Sequence, residues 1–552
     1  MATQASRFPT HDVENTPPPL TPYDAWATDP ALQETLKREG AGWANGLIAK
    51  WGPVAGGEAQ TLAQQANENR PKLKLFDRYG NRCDEVEFHP AYHRLMELAI
   101  EAGITSFPWR NEDKPGAHVA RMGLSYLLGQ GDQGTGCPTT MTYACVPSIR
   151  HSPKLAAEWL PKITAPVYDP RFIPAAQKNG LTIGMGMTEK QGGSDVRANS
   201  TKAHPLGERG NGQPYELVGH KWFFSAPMCD AFLVLAYEEA GLSCFLLPRF
   251  RPDGTRNAIR IQRLKDKLGD WSNASSEVEF QGALAFMVGD PARGVATILE
   301  MVALTRQDCM IGSSSVMRQA LVQALHHTRH RKAFGKRLVE QPLMLNVLAD
   351  LALESEAHLA LTARISRSVD ASHRDENEAA FARIGTAIGK YWVCKRCAPF
   401  VNEAQECLGG IGYVEESGMP RLYRQAPLNS IWEGSGNIQC LDVLRALAKE
   451  PATRGALFAE LSSAKGGHAA YDAELERLPQ ELTDLEGIET RSRHLVERLA
   501  IALQASLLIR AGNSKVSDAW CASRLDGKHG QTFGTLDKSA PMQALVERAF
   551  AG

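Results

Sequence analysis

Tyr215-Glu-Leu-Val-Gly-His-Lys-Trp-Phe-Phe-Ser225 reads as a β-strand, rich in Val, Leu and Phe, lying between two long stretches of helical texture. Ala231 to Tyr237, Ser243 to Pro248, Ala258 to Leu264 and Ser276 to Phe280 share that character. Gly241, the Asp253-Gly254 pair and Gly269 punctuate the runs as turns, so residues 181–289 are expected to form a small β domain. On the N-terminal side, residues 30–180 read as helices broken by Pro and Gly. On the C-terminal side, over 290–450, Val295, Ile298, Leu299 and Val302 recur with helical spacing, as do Met344, Val347, Leu348 and Leu351 after Pro342. Long antiparallel helices packed as a bundle are the natural outcome. Residues 451–552 form an extension, with a helix expected near 495–509 and loops over 511–535. Residues 1–29, with Pro17, Pro18, Pro19 and Pro22, read as an extended arm. The expected class is mainly α with a small central β domain.

A chain of 552 residues is long enough for three or four packed units. Lys+Arg 61 against Asp+Glu 62 leaves a formal net charge of -1, which gives no whole-chain reason to bind a polyanion but allows a local patch. No apolar run reaches the roughly 18 to 20 residues of a membrane helix. The N-terminus lacks a basic segment followed by an apolar one, so a soluble, cytoplasmic protein without membrane contact is expected. Eleven scattered cysteines read as reduced thiols, and Cys394 and Cys397 as structural residues inside a helix. His326, His327 and His330 have no acidic or cysteine partner nearby, so no metal site is expected.

Five segments are able to carry chemistry, each with a plain structural alternative. Met187-Thr-Glu-Lys-Gln-Gly-Gly-Ser-Asp-Val196 is either a surface turn or a place where hydroxyls and backbone N–H groups approach a flat polar ligand. Gly219-His-Lys-Trp-Phe-Phe-Ser225 is strand core or an aromatic surface ending in a hydroxyl. Arg331-Lys-Ala-Phe-Gly335 closes a helix with cations, which serve the helix dipole or fork onto phosphate. Cys407-Leu-Gly-Gly-Ile-Gly-Tyr413 is a helix stop or a close approach to pyrophosphate. Asn429-Ser-Ile-Trp-Glu-Gly-Ser-Gly-Asn437 sets Glu433 beside an aromatic. It is a helix-start acid or a desolvated base able to take a proton from a carbon acid.

In this order and at these separations, the five segments resemble the acyl-CoA dehydrogenase family over residues 30–450. The resemblance implies an N-terminal helical domain, a middle β domain and a C-terminal four-helix bundle, assembled as a homotetramer and holding FAD. Met187, Thr188, Gly193 and Ser194 would meet the flavin and its surroundings, Phe223 would lie against the ring, and Ser225 would bond near N5. Arg331 and Phe334 would hold the pyrophosphate and adenine end across a subunit boundary, with Gly409 and Gly410 approaching from the partner chain. Trp432 would sit on the flavin, and Ser435 and Asn437 toward the dinucleotide. Glu433 takes the position of the catalytic base, which removes the α-proton of an acyl-CoA while the β-hydride passes to N5. Some members place the base on a helix before an arginine; here Thr305 stands before Arg306 and cannot serve. Two departures are Glu406, where a glutamine is usual, and Pro342, where a glutamine is expected while Gln341 lies one position early.

MTEKQGGSDV, GHKWFFS, RLKDKLG, SNASSEVEF, LGGIGY and NSIWEGSGNIQCLDVLR look more closely like the AidB branch of that family, as does the extension. That likeness implies binding to double-stranded DNA through the C-terminal region, protection of DNA under alkylation stress and weak dehydrogenase activity. Arg445, Arg510, Lys515 and Arg524 are the candidate DNA contacts, on a basic face or an ordinary solvated one. The rival reading is a metabolic acyl-CoA dehydrogenase whose extension stabilises the assembly.

Overall fold

In the computed structural model, which describes residues 10–551, the N-terminal helices are α1 (Pro30–Arg38), α2 (Asn45–Ala49), α3 (Gly52–Ala55), α4 (Glu58–Glu68), α5 (Pro90–Glu101), α6 (Ala117–Leu128), α7 (Gly136–Arg150) and α8 (Pro153–Ile163). Residues 1–9 of the arm and Gly552 lie outside the described residues, and residues 10–24 form no helix or strand. Helix α1 begins where Asp29 caps it, accepting from Leu32 N at 3.0 Å ahead of Pro30. Between α4 and α5 the chain departs from the helical expectation with a hairpin, β1 (Lys72–Phe76) and β2 (Arg82–Glu87). Residues 72–75, Lys-Leu-Lys-Leu, alternate charged and apolar, and Asp77 closes the turn by accepting from Tyr79 N and Asn81 N.

The middle region holds β3 (Ile183–Gly186), β4 (Lys202–Pro205), β5 (Pro214–Ser225), β6 (Ala231–Glu238), β7 (Gly241–Pro248), β8 (Ile259–Leu264) and β9 (Ser275–Val288). The pairing closes on itself: β4 to β5, β5 to β9, β9 to β7, β7 to β6 and β6 back to β4. Strand β3 adds to β6 and β8 to β9. Closure leaves an interior filled by side chains such as Phe224, Phe232, Phe245 and Phe280, with Phe224 and Phe232 ring centroids 4.1 Å apart. Two short strands, β3 and β4, escaped the sequence reading because four residues carry too little pattern.

The helical period then returns in α9 (Gly294–His330), followed by the small hairpin β10 (Lys332–Ala333) and β11 (Lys336–Arg337), and then by α10 (Pro342–Ala371) and α11 (Glu376–Glu406). Next come α12 (Met419–Gln425) and α13 (Gly436–Lys449). The extension adds α14 (Pro451–Ser462), α15 (Ala469–Thr483), α16 (Ile488–Ala511), α17 (Ser514–Trp520) and α18 (Met542–Ala549). Expected loops over 511–535 are thus partly helical, and Trp520 is the reason: it is fully buried, and α17 carries it into the core. Tyr471, Leu499, Leu503 and Trp520 belong to the same apolar cluster as Leu321, Leu361 and Phe400 of the bundle. Asp350 of α10 fastens the last segment. Its fully buried carboxylate accepts from Arg524 at 2.5 Å, His529 at 2.8 Å and Gly534 N at 2.9 Å. Among the described residues, no helix is long and apolar enough to cross a membrane.

Candidate functional site

Glu433 sits in the turn before α13 with φ of 57°, followed by Gly434 at 93°. Left-handed backbone disfavours a glutamate, so the surroundings must hold it there. They do so through three successive carbonyls. Lys390 of α11, buried, donates to Trp432 O at 2.7 Å and Gly434 O at 2.6 Å. Arg306 of α9 donates to Glu433 O at 3.0 Å, and Gln439 of α13 reaches Glu433 O and Gly434 O at 3.1 and 3.0 Å. Arg306 is itself oriented by Asp442 at 3.0 Å, which also receives Arg383 at 2.8 Å.

The carboxyl so presented accepts one hydrogen bond, from Thr305 Oγ1 to Oε2 at 2.8 Å. Burial pushes its pKa above the ordinary glutamate value, while the Thr305 hydroxyl, the Arg306 guanidinium and Lys390 pull partly the other way. It borders a cavity of about 1600 Å3. Met187, Thr188, Gly193 and Ser194 line the same cavity from the loop after β3, Phe223 and Ser225 from the end of β5, and Trp432 and Ser435 from the Glu433 turn.

Glu189 gives the first loop its shape. Its fully buried carboxylate accepts from Lys221 Nζ at 2.8 Å, Thr201 Oγ1 at 2.6 Å and Ser200 N at 2.6 Å. Trp222 N donates to Thr188 O at 2.8 Å, which ties the loop to β5. The loop thus turns Thr188 and Ser194 to the cavity and keeps its acid inside. A Cβ on Gly193 would lie 2.5 Å from Thr188 Oγ1, so any side chain there would push the Thr188 hydroxyl aside. Ser225 Oγ lies 3.2 Å from Ser275 Oγ, and Trp432 Nε1 donates to Asn429 at 2.9 Å.

Five of the expected cofactor residues stand away from this cavity. Arg331 ends α9 and donates to Asn15 O at 2.8 Å. Phe334, on the β10–β11 hairpin, is 99% exposed. Gly409 and Gly410 are exposed, with open space around them, and Asn437 is exposed on the first turn of α13. Glu406 points outward, accepting from Asn402 at 3.0 Å, and Gln341 donates to Ala333 O at 3.1 Å beneath the hairpin. Of the candidate DNA contacts, Arg445 is exposed at the cavity and Lys515 is exposed on α17. Arg510 is committed to Glu460. Arg524 corrects the expectation: its side chain is 8% exposed and paired with Asp350 and Glu354, so it is unavailable to phosphate.

The sequence reading missed Lys390, whose helix carries no motif, and a second charged group at the cavity. Asp308 receives Arg121 through two bonds of 2.6 Å and Thr140 through a third of 2.6 Å. Arg121 is buried, with its guanidinium 3.4 Å from the Tyr143 ring centroid. These partners lie far apart in sequence, and no local pattern announces them. The Glu189–Lys221 pair did have a signal: one opposite charge inside each of two motifs.

What the cavity suits is a flat heteroaromatic ring with polar edges. The lining combines the hydroxyls of Thr188, Ser194 and Ser225 with the rings of Phe223 and Trp432, and the volume exceeds the roughly 300–1,000 Å3 of an ordinary ligand site. Residues 15–170 match the adaptive response protein AidB N-terminal domain, residues 184–283 the acyl-CoA dehydrogenase middle domain, and residues 292–448 the acyl-CoA dehydrogenase C-terminal domain. The chain is 45% identical to the putative acyl-CoA dehydrogenase AidB of Escherichia coli K12 over 94% of this chain and 95% of that one. The crystal structure of Caenorhabditis elegans ACDH-11 in complex with C11-CoA superposes with a TM-score of 0.83 at 26% identity, covering 100% of this chain and 95% of that one. A structure described as Bd2924 apo-form gives 0.82 at 30% identity, covering 92% and 100%.

Proposed function

The chain belongs to the acyl-CoA dehydrogenase family, in its AidB branch, and from that membership we propose that it holds FAD in the cavity and that Glu433 removes an α-proton from an acyl-CoA there. The observation that carries this reading is the carboxyl of Glu433, raised in pKa by burial, held by Thr305 and facing the cavity. Thr188, Ser194 and Ser225 would bond the polar edges of FAD, and Phe223 and Trp432 would cover its ring. Bound FAD supplies an acceptor for the β-hydride. Glu433 takes the proton, while Thr305 keeps the second carboxylate oxygen occupied so that one oxygen faces the carbon acid. Acyl-CoA as ligand is further supported by the structural neighbour that was solved with C11-CoA. Arg331, Phe334, Gly409 and Gly410 would hold the pyrophosphate and adenine end in a second copy of the chain, which requires an oligomer, read as a tetramer. Their exposure in the single chain agrees with that arrangement.

The test is anaerobic flavin reduction by a panel of straight and branched acyl-CoAs. Wild-type protein should bleach with at least one of them. Glu433→Gln should keep its flavin and lose the rate by about a hundredfold or more. A variant that purifies without flavin would overturn the role of Glu433 as a base.

A second reading, binding of double-stranded DNA and its protection during alkylation stress, follows from the AidB branch and from the exposed cations Arg445 and Lys515. Arg524, paired internally with Asp350 and Glu354, drops out of that reading. Duplex binding measured against salt decides it, since each phosphate contact steepens the salt dependence. No binding at low salt removes it. With no binding and turnover of about 1–1,000 per second on one acyl-CoA, the metabolic alternative stands.

A further inference from the structure

One wall of the cavity is not built for hydrocarbon. The loop after β8 and the end of α12 meet there so closely that a Cβ on Gly269 would lie 2.5 Å from Arg424 O. Next to that contact stand Asp270, Asn273 and Gln425, with relative exposures of 5%, 4% and 3%, and all three border the cavity. Asp270 Oδ1, Asn273 Oδ1 and both polar atoms of Gln425 are buried without a hydrogen-bond partner, as is Nε of Arg421 behind them. Native interiors rarely leave such groups unpaired, and several in one place mark a position where something else completes the bonding.

The charged side chains around this wall are already engaged within the protein, Arg424 for instance with Glu415. Lys267 donates to Asp270 O at 2.9 Å and Asn273 O at 2.8 Å, and Arg421 donates to Gly131 O at 2.6 Å. Against these cations stand Asp132, which accepts from Ser272 at 3.0 Å, and Asp270, which burial pushes up to about 7. A charged ligand would find no fully ionised side chain among the three unpartnered residues. A neutral group offering both a donor and an acceptor would satisfy Gln425, Asn273 and Asp270 together. The wall belongs to the same cavity as the chemistry, which Cys137, Ser225 and Glu433 also line.

We propose that Gln425, Asn273 and Asp270 form a subsite for an uncharged hydrogen-bonding substituent, a hydroxyl or a carboxamide, carried on the acyl chain of a CoA thioester. This rests on the acyl-CoA reading above and narrows it to acyl groups with a polar substituent. A site built around buried polar groups selects strongly against the analogue that leaves them unpaired, whereas an apolar pocket separates the two only weakly.

Calorimetric titration of the purified full-length protein with matched pairs of CoA thioesters tests it, each pair an ω-hydroxyacyl chain against the alkyl chain of equal length, from short to medium. In at least one pair the hydroxylated member should bind about tenfold or more tighter. Gln425→Leu should bring that pair to within about threefold, and if that variant does not fold, Asn273→Ala should narrow the same gap. Pairs that bind equally at every length overturn the subsite, leaving its polar atoms to internal solvent and the acyl-CoA reading intact. If no thioester binds at all, the acyl-CoA reading falls, and the subsite with it.

Discussion

Thr305 and Glu433 are separated by 128 residues, and their side-chain oxygens lie 2.8 Å apart. By the resemblance, Thr305 stands at the family's alternative position for a base, and here it donates to the residue at the other position. Under the proposed function, the residue that cannot take the proton holds the one that would.

Replacing Thr305 with Val keeps the side-chain shape and removes the donor to the carboxylate. Glu433 is a base only when ionised, so flavin reduction should rise with pH, and loss of the hydroxyl should move that rise to higher pH. Below the midpoint of the profile the variant should be about tenfold slower, with a plateau close to wild type. An unshifted profile would show that the Thr305 hydroxyl does not set the acidity of the base.

Lys390→Met removes the donor to the carbonyls on either side of Glu433 while keeping much of the buried stem. Unfolding in urea should show a loss of about 1–3 kcal/mol from the unpaired carbonyls. Flavin reduction should fall with little change in the acyl-CoA concentration giving half-maximal rate, because the base turn loosens and the binding surface does not.

Asp270 makes stability depend on pH in a defined direction. Its folded pKa, about 7, lies above the ordinary 3.8, so its contribution is complete below about 3.8 and is lost as pH rises through about 7. At about 1.4 kcal/mol per pH unit the span is at most about 4 kcal/mol. Asp270→Asn accepts the left-handed backbone, with φ of 51°, and should flatten the fall of melting temperature between pH 4 and 7. A slope equal to wild type would place that titration elsewhere.

Asp350→Ala should detach the last segment of the chain before the rest unfolds. Arg524 and His529 then lose a buried partner, at a cost of about 3 kcal/mol. Hydrogen exchange should accelerate over residues 521–550 and stay unchanged in β5 and β9.

Much of this fold was legible because its elements are locally explicit. Aromatic and β-branched runs such as Ala231 to Tyr237 pair as strands wherever they occur, and the i, i+3, i+4 spacing after Pro342 makes a helix without help. The candidate site was legible only through its loops, where hydroxyls, glycines and aromatics are unusual enough to stand out. Lys390, Arg121 and Asp308 were not, because a buried charge is defined by partners that folding brings from far along the chain. Arg524 was misread for the same reason: in sequence it is one more cation in a basic tract, and only α10 shows that it is spent internally.

The left-handed backbone at Glu433 has one more consequence. Asparagine or glycine would rest there with less strain, so the wild-type residue is a worse choice for the heat resistance of the fold than either substitute. With Lys390, Arg306 and Gln439 all bonded to the carbonyls of its turn, the fold gives up heat resistance to present a carboxylate to the cavity.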